Sequence, residues 1–273
     1  MIISRQYTAF MKFNKQKFTH KQKVIALLAL LLIGLLLFLQ SKRSTLAATA
    51  EYYWRAYSYK IQNGKVDGNF ATNLNATWHH QDHSLSCEIA ALKMALSVYG
   101  LDVPESELIA KLKMDPTPRK NGVWGDPNTG FVGNIDGQMG VTGYGVYWQP
   151  IADVGSQYLK TEVKRFESPA ALASEIAKGR AVVAWGYNGR GNRITWKTPA
   201  GTQINAINGE HARTIVGFSG EIANPVNFLV YDPIYGKLSW PAAQVFENWQ
   251  PFDNMGVVVY SDSVQAEINP VFK

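Results

Sequence analysis

The stretch Ser86–Gly100, SCEIAALKMALSVYG, is the strongest helix signal in the chain, and it begins with a potential nucleophile. Ser86 fits the N-cap position, Glu88 falls in the first turn, and Gly100 supplies a stop signal. We therefore predict a helix over residues 87–99 with Cys87 at its first position.

Cys87 is the only cysteine among the 273 residues, so it cannot form an internal disulfide. An unpaired cysteine in an exported protein is exposed to oxidation, and its presence there favours a functional role. The free N–H groups and the dipole at a helix start favour a thiolate over a thiol. The alternative is a small buried residue on a core helix, and position alone leaves the two interpretations equal.

The rest of the chain predicts an α+β domain in which helices come first and a mostly antiparallel sheet follows. Two more helices are predicted over residues 104–113 and 168–179, and a short one over 241–249. Residues 114–157, rich in Gly, Pro, Asn and Asp, predict a long structured loop region. Strands are predicted over residues 181–187, 214–218, 228–231 and 257–260.

The positive charge of the chain is concentrated at its N-terminus. Residues 1–50 carry eight basic side chains and no acidic ones, whereas the remainder carries 19 basic and 21 acidic side chains. A nucleic-acid-binding domain needs a basic face on its folded part. We therefore predict no nucleic-acid partner.

Val24–Leu39 is an uninterrupted apolar run that predicts a membrane-spanning helix. Its sixteen residues would cover roughly 24 Å, and the flanking basic side chains can reach the interface. The segment is either an uncleaved signal anchor or a signal peptide cut near Ala50, after Ala48-Thr49-Ala50. Both alternatives place the following domain outside the cytoplasm.

These patterns divide the chain into five segments. We predict a basic cytoplasmic leader over 1–23, a transmembrane anchor or signal-peptide core over 24–40, a spacer over 41–75, the main domain over 76–262, and a tail over 263–273.

A cysteine nucleophile requires a base, an acceptor that orients the base, and an oxyanion donor. His211 opens a predicted strand and is the candidate base, while Asp232 ends the next strand and could hold the imidazole in one tautomer. Gln81, six residues before Cys87, could donate to an oxyanion together with the Cys87 backbone N–H. Asp232 could equally be an ordinary turn residue before Pro233, and Gln81 a surface glutamine.

His79 and His83 have a spacing that could hold a metal ion, but the sequence shows no third distant ligand. We therefore predict no metal and no other cofactor, and the two histidines are interpreted as part of a solvated loop.

The ordered set of Gln81, Cys87, His211 in GEHARTIVGF and Asp232 in VYDPIYG resembles the family-thirty-nine cysteine peptidases. These are bacteriocin-processing peptidases and their relatives. The likeness covers residues 76–260 and implies a papain-like fold with a Cys-His-Asp triad. It also implies a peptide or protein as the substrate partner.

Two departures set this chain apart from the bacteriocin-exporter peptidases, which place Asp before and Gly after the nucleophile. Ser86 and Glu88 occupy those positions here, and with the loops Trp124–Asn134 and Gly143–Ile151 they resemble a stand-alone, surface-exposed bacterial branch. Residues 124–134 could line a substrate cleft or form a rigid surface loop. The resemblance leaves two alternatives to a peptidase, namely a cell-wall peptide amidase using the same site and a catalytically idle peptide-binding domain.

Overall fold

The computed structural model describes Leu32, residues 70–263 and Ala266. The chain divides into two units, Met1–Ala50, of which Leu32 alone is described and is helical, and Glu51–Lys273. The predicted leader lies outside the described residues, as does the predicted span apart from Leu32. Within the described residues, no helix has the length and apolar character needed to cross a membrane.

Five α-helices lie in the described part of the second unit, and four of them match the predicted ones with shorter ends. Their bounds are α1 Cys87–Ser97, α2 Glu105–Lys111, α3 Trp148–Gly155, α4 Pro169–Ala177 and α5 Ala242–Trp249, followed by a 3-10 turn at Gln250–Phe252.

The main sheet has seven strands, and all its pairings are antiparallel. Its strands are β1 Phe70–Asn73, β5 Lys160–Arg165, β6 Ala181–Tyr187, β9 Glu210–Glu221, β10 Asn224–Asp232, β11 Gly236–Pro241 and β12 Met255–Tyr260. The order is β11-β10-β9-β6-β12-β5, and β1 pairs with the C-terminal half of β9. Together with the helices, this sheet confirms a mixed α/β domain with an antiparallel sheet.

Smaller sheets lie beside the main one. Strands β2 Met114–Asp115, β3 Phe131–Gly133 and β4 Gly143–Gly145 form one sheet, and β7 Arg193–Lys197 pairs with β8 Gln203–Ile207 to form another. Strand β7 does not pair with β6, so the segment Gly189-Arg190-Gly191 between them connects two sheets.

Helix α1 packs against β9, and this contact fixes the position of Cys87. The helix has buried residues on every side rather than one apolar stripe, as expected for a helix inside the core. The Thr214 hydroxyl donates to the Ala91 carbonyl at 2.7 Å, which joins β9 to the helix backbone. Ser86 occupies the N-cap position as predicted, but its side chain does not cap α1 and instead bonds to His83.

Sequence patterns missed the elements that lack a clear period. Helix α3 lies in the region predicted as loop, and its sequence WQPIADVG contains a proline and ends in a glycine. Strand β1 lies at the end of the predicted spacer, and β5 is a polar edge strand, KTEVKR. Short or solvent-facing elements of this kind are specified by their partners more than by their own residues.

Candidate active site

His211 and Asp232 are brought together at the ends of two neighbouring strands. The His211 Nε2 atom lies 3.1 Å from each carboxylate oxygen of Asp232, and both side chains are buried. The carboxylate also accepts the backbone N–H groups of Ile234 at 2.8 Å and Tyr235 at 3.0 Å. Asp232 is therefore fixed by the turn that Pro233 begins, and its position depends on the chain as well as on the histidine.

The charge on Asp232 determines which imidazole nitrogen carries the proton. Burial opposes ionisation, but His211 and Arg213 outweigh it and hold the pKa of Asp232 well below its usual range. An ionised carboxylate can only accept hydrogen bonds, so Nε2 of His211 donates. The other nitrogen, Nδ1, is then the basic one. Burial lowers the pKa of His211, which keeps the resting imidazole neutral.

Arg213 is a third member of this cluster that the sequence analysis did not single out. Its Nε donates to Asp232 at 2.7 Å, and its other nitrogens donate to Asn188 and Asn248. Its guanidinium also lies over the Trp240 ring, 4.8 Å from the centroid. The signal was available, because residues two apart on a strand share a face and Arg213 follows His211 at that spacing.

Cys87 is 4% exposed, at the first position of α1 as predicted, but its surroundings do not favour a thiolate. Burial raises its pKa well above the ordinary value, and the carboxylates of Glu88 and Glu210 raise it further. A hydrogen bond from the Ala212 backbone acts in the opposite direction. The predicted effect of the helix start is therefore outweighed, and the resting group is a thiol that donates to Glu88 Oε2 at 3.3 Å.

Glu88 and Glu210 form a buried carboxyl pair beside the sulfur, and neither was predicted as a site residue. Glu88 accepts the Val146 N–H at 2.7 Å, whereas both carboxyl oxygens of Glu210 are buried without a partner. Burial raises the pKa of Glu88 to about 7, and burial together with Glu88 raises that of Glu210 well above its ordinary value.

Gly145 provides the space that this carboxyl pair occupies. A Cβ at that position would lie 2.5 Å from a Glu88 oxygen and 2.6 Å from a Glu210 oxygen. The backbone there also has a φ of 136°, which side chains rarely adopt.

Cys87 contacts strand β9 at Ala212, the residue that follows His211. Side chains alternate along the strand, so His211 points with Arg213 towards Asp232, while Ala212 and Thr214 face α1. The sulfur meets the Ala212 backbone, one residue from the imidazole. In the described part of the chain, no hydrogen bond joins the sulfur to the ring. The pairing of Cys87 with His211 therefore stays a prediction.

Gln81 lies in a loop that is tied to the same strand end. Its backbone N–H donates to the Pro233 carbonyl at 3.1 Å, and Trp78 Nε1 donates to the Asp232 carbonyl at 2.8 Å. The Gln81 side-chain nitrogen donates to the carbonyls of His83 and Ser84. The oxyanion role stays a prediction, and it requires one of these two hydrogen bonds to be exchanged for the substrate.

The remaining predicted features are placed as follows. Trp124 is buried against Trp196 and Tyr144, so the start of the 124–134 loop belongs to the core. His79 and His83 do not face each other, because His79 bonds to Glu105 and His83 to Asp136.

Comparison with known proteins identifies the family. The family model described as "Peptidase_C39 like family" matches residues 73–257, and this chain belongs to that family. The match covers the Cys87 helix, His211 and Asp232 together, and confirms the resemblance drawn from those residues.

Individual relatives show the same likeness over parts of their length. The uncharacterized protein YvpB of Bacillus subtilis (strain 168) is 32% identical over 137 residues, 48% of this chain. The match takes in 53% of YvpB, so this chain spans about half the length of that curated relative.

A solved structure supports the fold. The crystal structure of a putative C39-like peptidase from Bacillus anthracis superposes with a TM-score of 0.59 at 22% identity, covering 70% of this chain and 98% of that one. A double glycine motif protease from an AMS/PCAT transporter, in complex with the leader peptide, is more distant, with a TM-score of 0.41 at 14% identity over 70% of this chain and 96% of its own.

Proposed function

We propose that this chain is a cysteine peptidase that acts outside the cytoplasm, with Cys87, His211 and Asp232 as its catalytic triad. The observation that carries the proposal is the buried contact between His211 and Asp232 at 3.1 Å. His211 lies on β9, and the next residue of that strand, Ala212, contacts the Cys87 sulfur through its backbone. Family membership supports a peptidase, and the contact between His211 and Asp232 supports the roles proposed for these two residues.

The imidazole of His211 takes the thiol proton on Nδ1 while its Nε2–H stays bonded to Asp232. The resulting thiolate attacks the carbonyl carbon of the scissile peptide bond and forms a tetrahedral oxyanion. The imidazolium then returns its proton to the leaving amine, and a thioester to Cys87 remains. Water, activated by the same imidazole, hydrolyses the thioester and restores the thiol.

The oxyanion requires donors directed at the carbon that Cys87 attacks. The Cys87 backbone N–H, at the start of α1, has no partner within the helix and can supply one donor. The Gln81 amide supplies the second once it exchanges a loop carbonyl for the substrate. Each such donor typically contributes about 2.7–4 kcal/mol to barrier lowering.

The carboxyl pair sets the conditions under which the thiolate forms. A thiolate next to an ionised Glu88 is disfavoured by repulsion, whereas a protonated Glu88 can donate to it. Proton transfer from Cys87 to His211 is therefore easier while Glu88 and Glu210 hold their protons. Because the pKa of Glu88 lies at about 7, the reactive form is favoured at neutral to mildly acidic pH.

The location follows from the N-terminal sequence. We propose that residues 24–40 either anchor the chain in the cell membrane, with the catalytic domain outside, or are removed by cleavage near Ala50. Fractionation of cells that express a C-terminally tagged chain tests this proposal. Activity and tag in the membrane or culture-medium fraction support it, and both in the cytosol contradict it.

A second candidate function is a catalytically idle domain that binds peptides. It is favoured by the raised pKa of Cys87, by the burial of the sulfur, and by its hydrogen bond to Glu88 instead of the imidazole. Exchange of Cys87 for Ser would then leave peptide binding unchanged.

One experiment separates these functions. The full-length chain is incubated with a peptide library derived from unstructured proteins and, separately, with isolated muropeptides, and products are read by mass spectrometry. New termini in the peptide library that disappear in C87A and in H211A establish the peptidase. Products from muropeptides alone establish an amidase, and no products from either substrate favour the idle domain. His80 is exposed, with its Nδ1 against the Gln81 backbone carbonyl and its ring against that of Trp78, and H80A serves as the control for exchange of a histidine outside the proposed triad.

A further inference from the structure

A second cluster of ligand-type side chains lies where the loop before α1 meets the start of α2. His79 Nε2 is 2.7 Å from Glu105 Oε2 and 3.7 Å from Asp82 Oδ1. The Asp82 backbone N–H donates to the same Glu105 oxygen at 3.0 Å. One ligand atom from each of the three residues lies within 4.8 Å of the other two.

Glu105 is buried, and one of its two carboxyl oxygens is unsatisfied. Its side chain is 0% exposed, and among the described residues Oε1 has no hydrogen-bond partner, although Oε2 has two. Buried carboxylates are normally paired, hydrogen-bonded at both oxygens, or bound to a metal ion. Oε1 of Glu105 is therefore available to a ligand without loss of an existing hydrogen bond to a described residue.

The cluster opens onto a cavity of about 350 Å³. Glu105, Asp82 and Asp102 line it with carboxylates, and Lys93 is the one lysine or arginine among its lining residues. Lys93 is already paired with Asp102 at 2.5 Å. Two carboxylates, Asp82 and Glu105, therefore remain without a lysine or arginine partner among the lining residues, which matches the charge of a divalent cation.

We propose that His79, Asp82 and Glu105 form a binding site for a divalent transition-metal ion, with zinc as the preferred ion. Zinc accepts both imidazole nitrogen and carboxylate oxygen as ligands, and the cavity leaves room for water at a fourth position beside the three side chains. The ion takes the place of the hydrogen bond between His79 Nε2 and Glu105 Oε2, and His79 binds it as a neutral imidazole that carries its proton on Nδ1. Calcium and magnesium prefer oxygen ligands alone and fit this set poorly.

The consequence of binding is mechanical. His79 and Asp82 flank Gln81 in the loop before Cys87, whereas Glu105 begins α2. An ion held by all three fixes the Gln81 loop against α2. The site itself does not depend on the peptidase proposal, because binding can be measured without catalysis.

The sequence singled out one of these three residues, His79, and led us to predict no metal because no third ligand was evident. Its supposed partner, His83, pairs with Asp136 instead. The third ligand, Glu105, is 26 positions from His79 and has no recognisable spacing to it.

The test is a zinc titration of the full-length chain, purified without a histidine tag, by isothermal calorimetry and thermal unfolding. The proposal predicts one zinc ion per chain and a rise in Tm that calcium does not produce. H79Q and D82N should each weaken zinc binding by at least about tenfold, since loss of an outer-shell partner alone costs that much. H83Q is the matched control and should bind as the unmodified chain does.

The Cys87, Glu88 and Glu210 cluster is a competing zinc site, because its ligand atoms are equally close together. The variant C87S separates the two clusters. Zinc binding that persists in C87S and is lost in H79Q supports the proposal. Binding that is lost in C87S but kept in H79Q and D82N, or no saturable binding at all, overturns it. The side chains of His79 and Asp82 are partly exposed, so H79Q and D82N are expected to fold. Thermal unfolding of each variant without zinc verifies this.

Discussion

The two halves of the candidate active site differ in how completely their polar groups are satisfied. Around Asp232, a carboxylate accepts from an imidazole, a guanidinium and two backbone N–H groups. Around Cys87, two carboxyl groups are buried together, and Glu210 has no hydrogen-bond partner at either oxygen. The half around His211 and Asp232, the base side, therefore stabilises the fold. The half around Cys87, the nucleophile side, contains two buried carboxyl groups that repel each other when ionised, and exchange of one of them would relieve that repulsion.

The largest expected effect is on the base side. D232N removes the charge that compensates buried Arg213, and we expect a loss of about 3–5 kcal/mol in the free energy of unfolding, as for other broken buried pairs. Chemical denaturation measures it. The exposed Asp153 provides the control variant D153N, which should stay within about 0.5 kcal/mol. If D232N lost no more free energy of unfolding than D153N, the stabilising role assigned to the base side would be contradicted.

The next effect is a pH dependence that comes from the nucleophile side. Glu88 and Glu210 have higher pKa values in the folded chain than the ordinary 4.5, and that of Glu88 is about 7. Between these pH values the folded state therefore binds more protons than the unfolded state at these two residues. Their contribution to the free energy of unfolding falls as pH rises from about 4.5 through 7. The slope should be about 1.4 kcal/mol per pH unit for each proton retained.

Asp232 contributes no slope in this window, because its pKa stays below the window in the folded chain and its stabilisation persists at higher pH. His211 contributes a slope of opposite sign below about pH 6.5, because burial lowers its pKa from the ordinary 6.5. Denaturation series between pH 5 and 8 on the unmodified chain and on E88Q therefore isolate the contribution of Glu88 as the difference between the two slopes. A slope that is the same in E88Q and in the unmodified chain would disprove the assignment.

A smaller effect of opposite sign to D232N is expected for E210Q. This variant removes a buried carboxyl group whose ionisation burial and Glu88 both oppose and whose oxygens have no hydrogen-bond partner among the described residues, so at pH 8 we expect a gain of about 1–2 kcal/mol in the free energy of unfolding. The exposed Glu247 supplies the control E247Q, for which no gain is expected. Destabilisation by E210Q at pH 8 would show that its carboxylate has a stabilising partner.

The smallest effect is on reactivity. E88Q keeps an oxygen that can accept from Val146 and places an N–H near the sulfur, so it imitates the protonated carboxyl group. We expect alkylation of Cys87 by iodoacetamide at pH 7.5 to become roughly tenfold faster, the size of effect that one nearby charge produces. Rates equal to those of the unmodified chain would show that Glu88 does not control the thiol.

The sequence predicted the parts of this fold that carry strong local patterns. The helix at Cys87, strand β6 and the pairing of His211 with Asp232 follow from an apolar run, a β-branched run and chain order. Helix α3 and strand β5 were missed, because a proline-containing segment and a polar edge strand acquire their structure from neighbours.

The electrostatics of the site could not be predicted, because they depend on distances between residues far apart in the chain. Glu88 and Glu210 are 122 positions apart, and only the folded backbone at Gly145 reveals that they meet. The same holds for Glu105, which the sequence offered no reason to place beside His79. The predicted membrane segment and the role of Gln81 stay predictions.

The central claim is that the His211 imidazole activates the Cys87 thiol, and the alkylation rate of Cys87 in the unmodified chain and in H211A tests it most directly. The rate is measured by mass spectrometry at pH 6.5, where an ordinary thiol reacts slowly, with H80A as control. The account predicts a fall of about a hundredfold or more in H211A, within the range by which a positioned base accelerates proton transfer, and no change in H80A. Equal rates in H211A and the unmodified chain would contradict it.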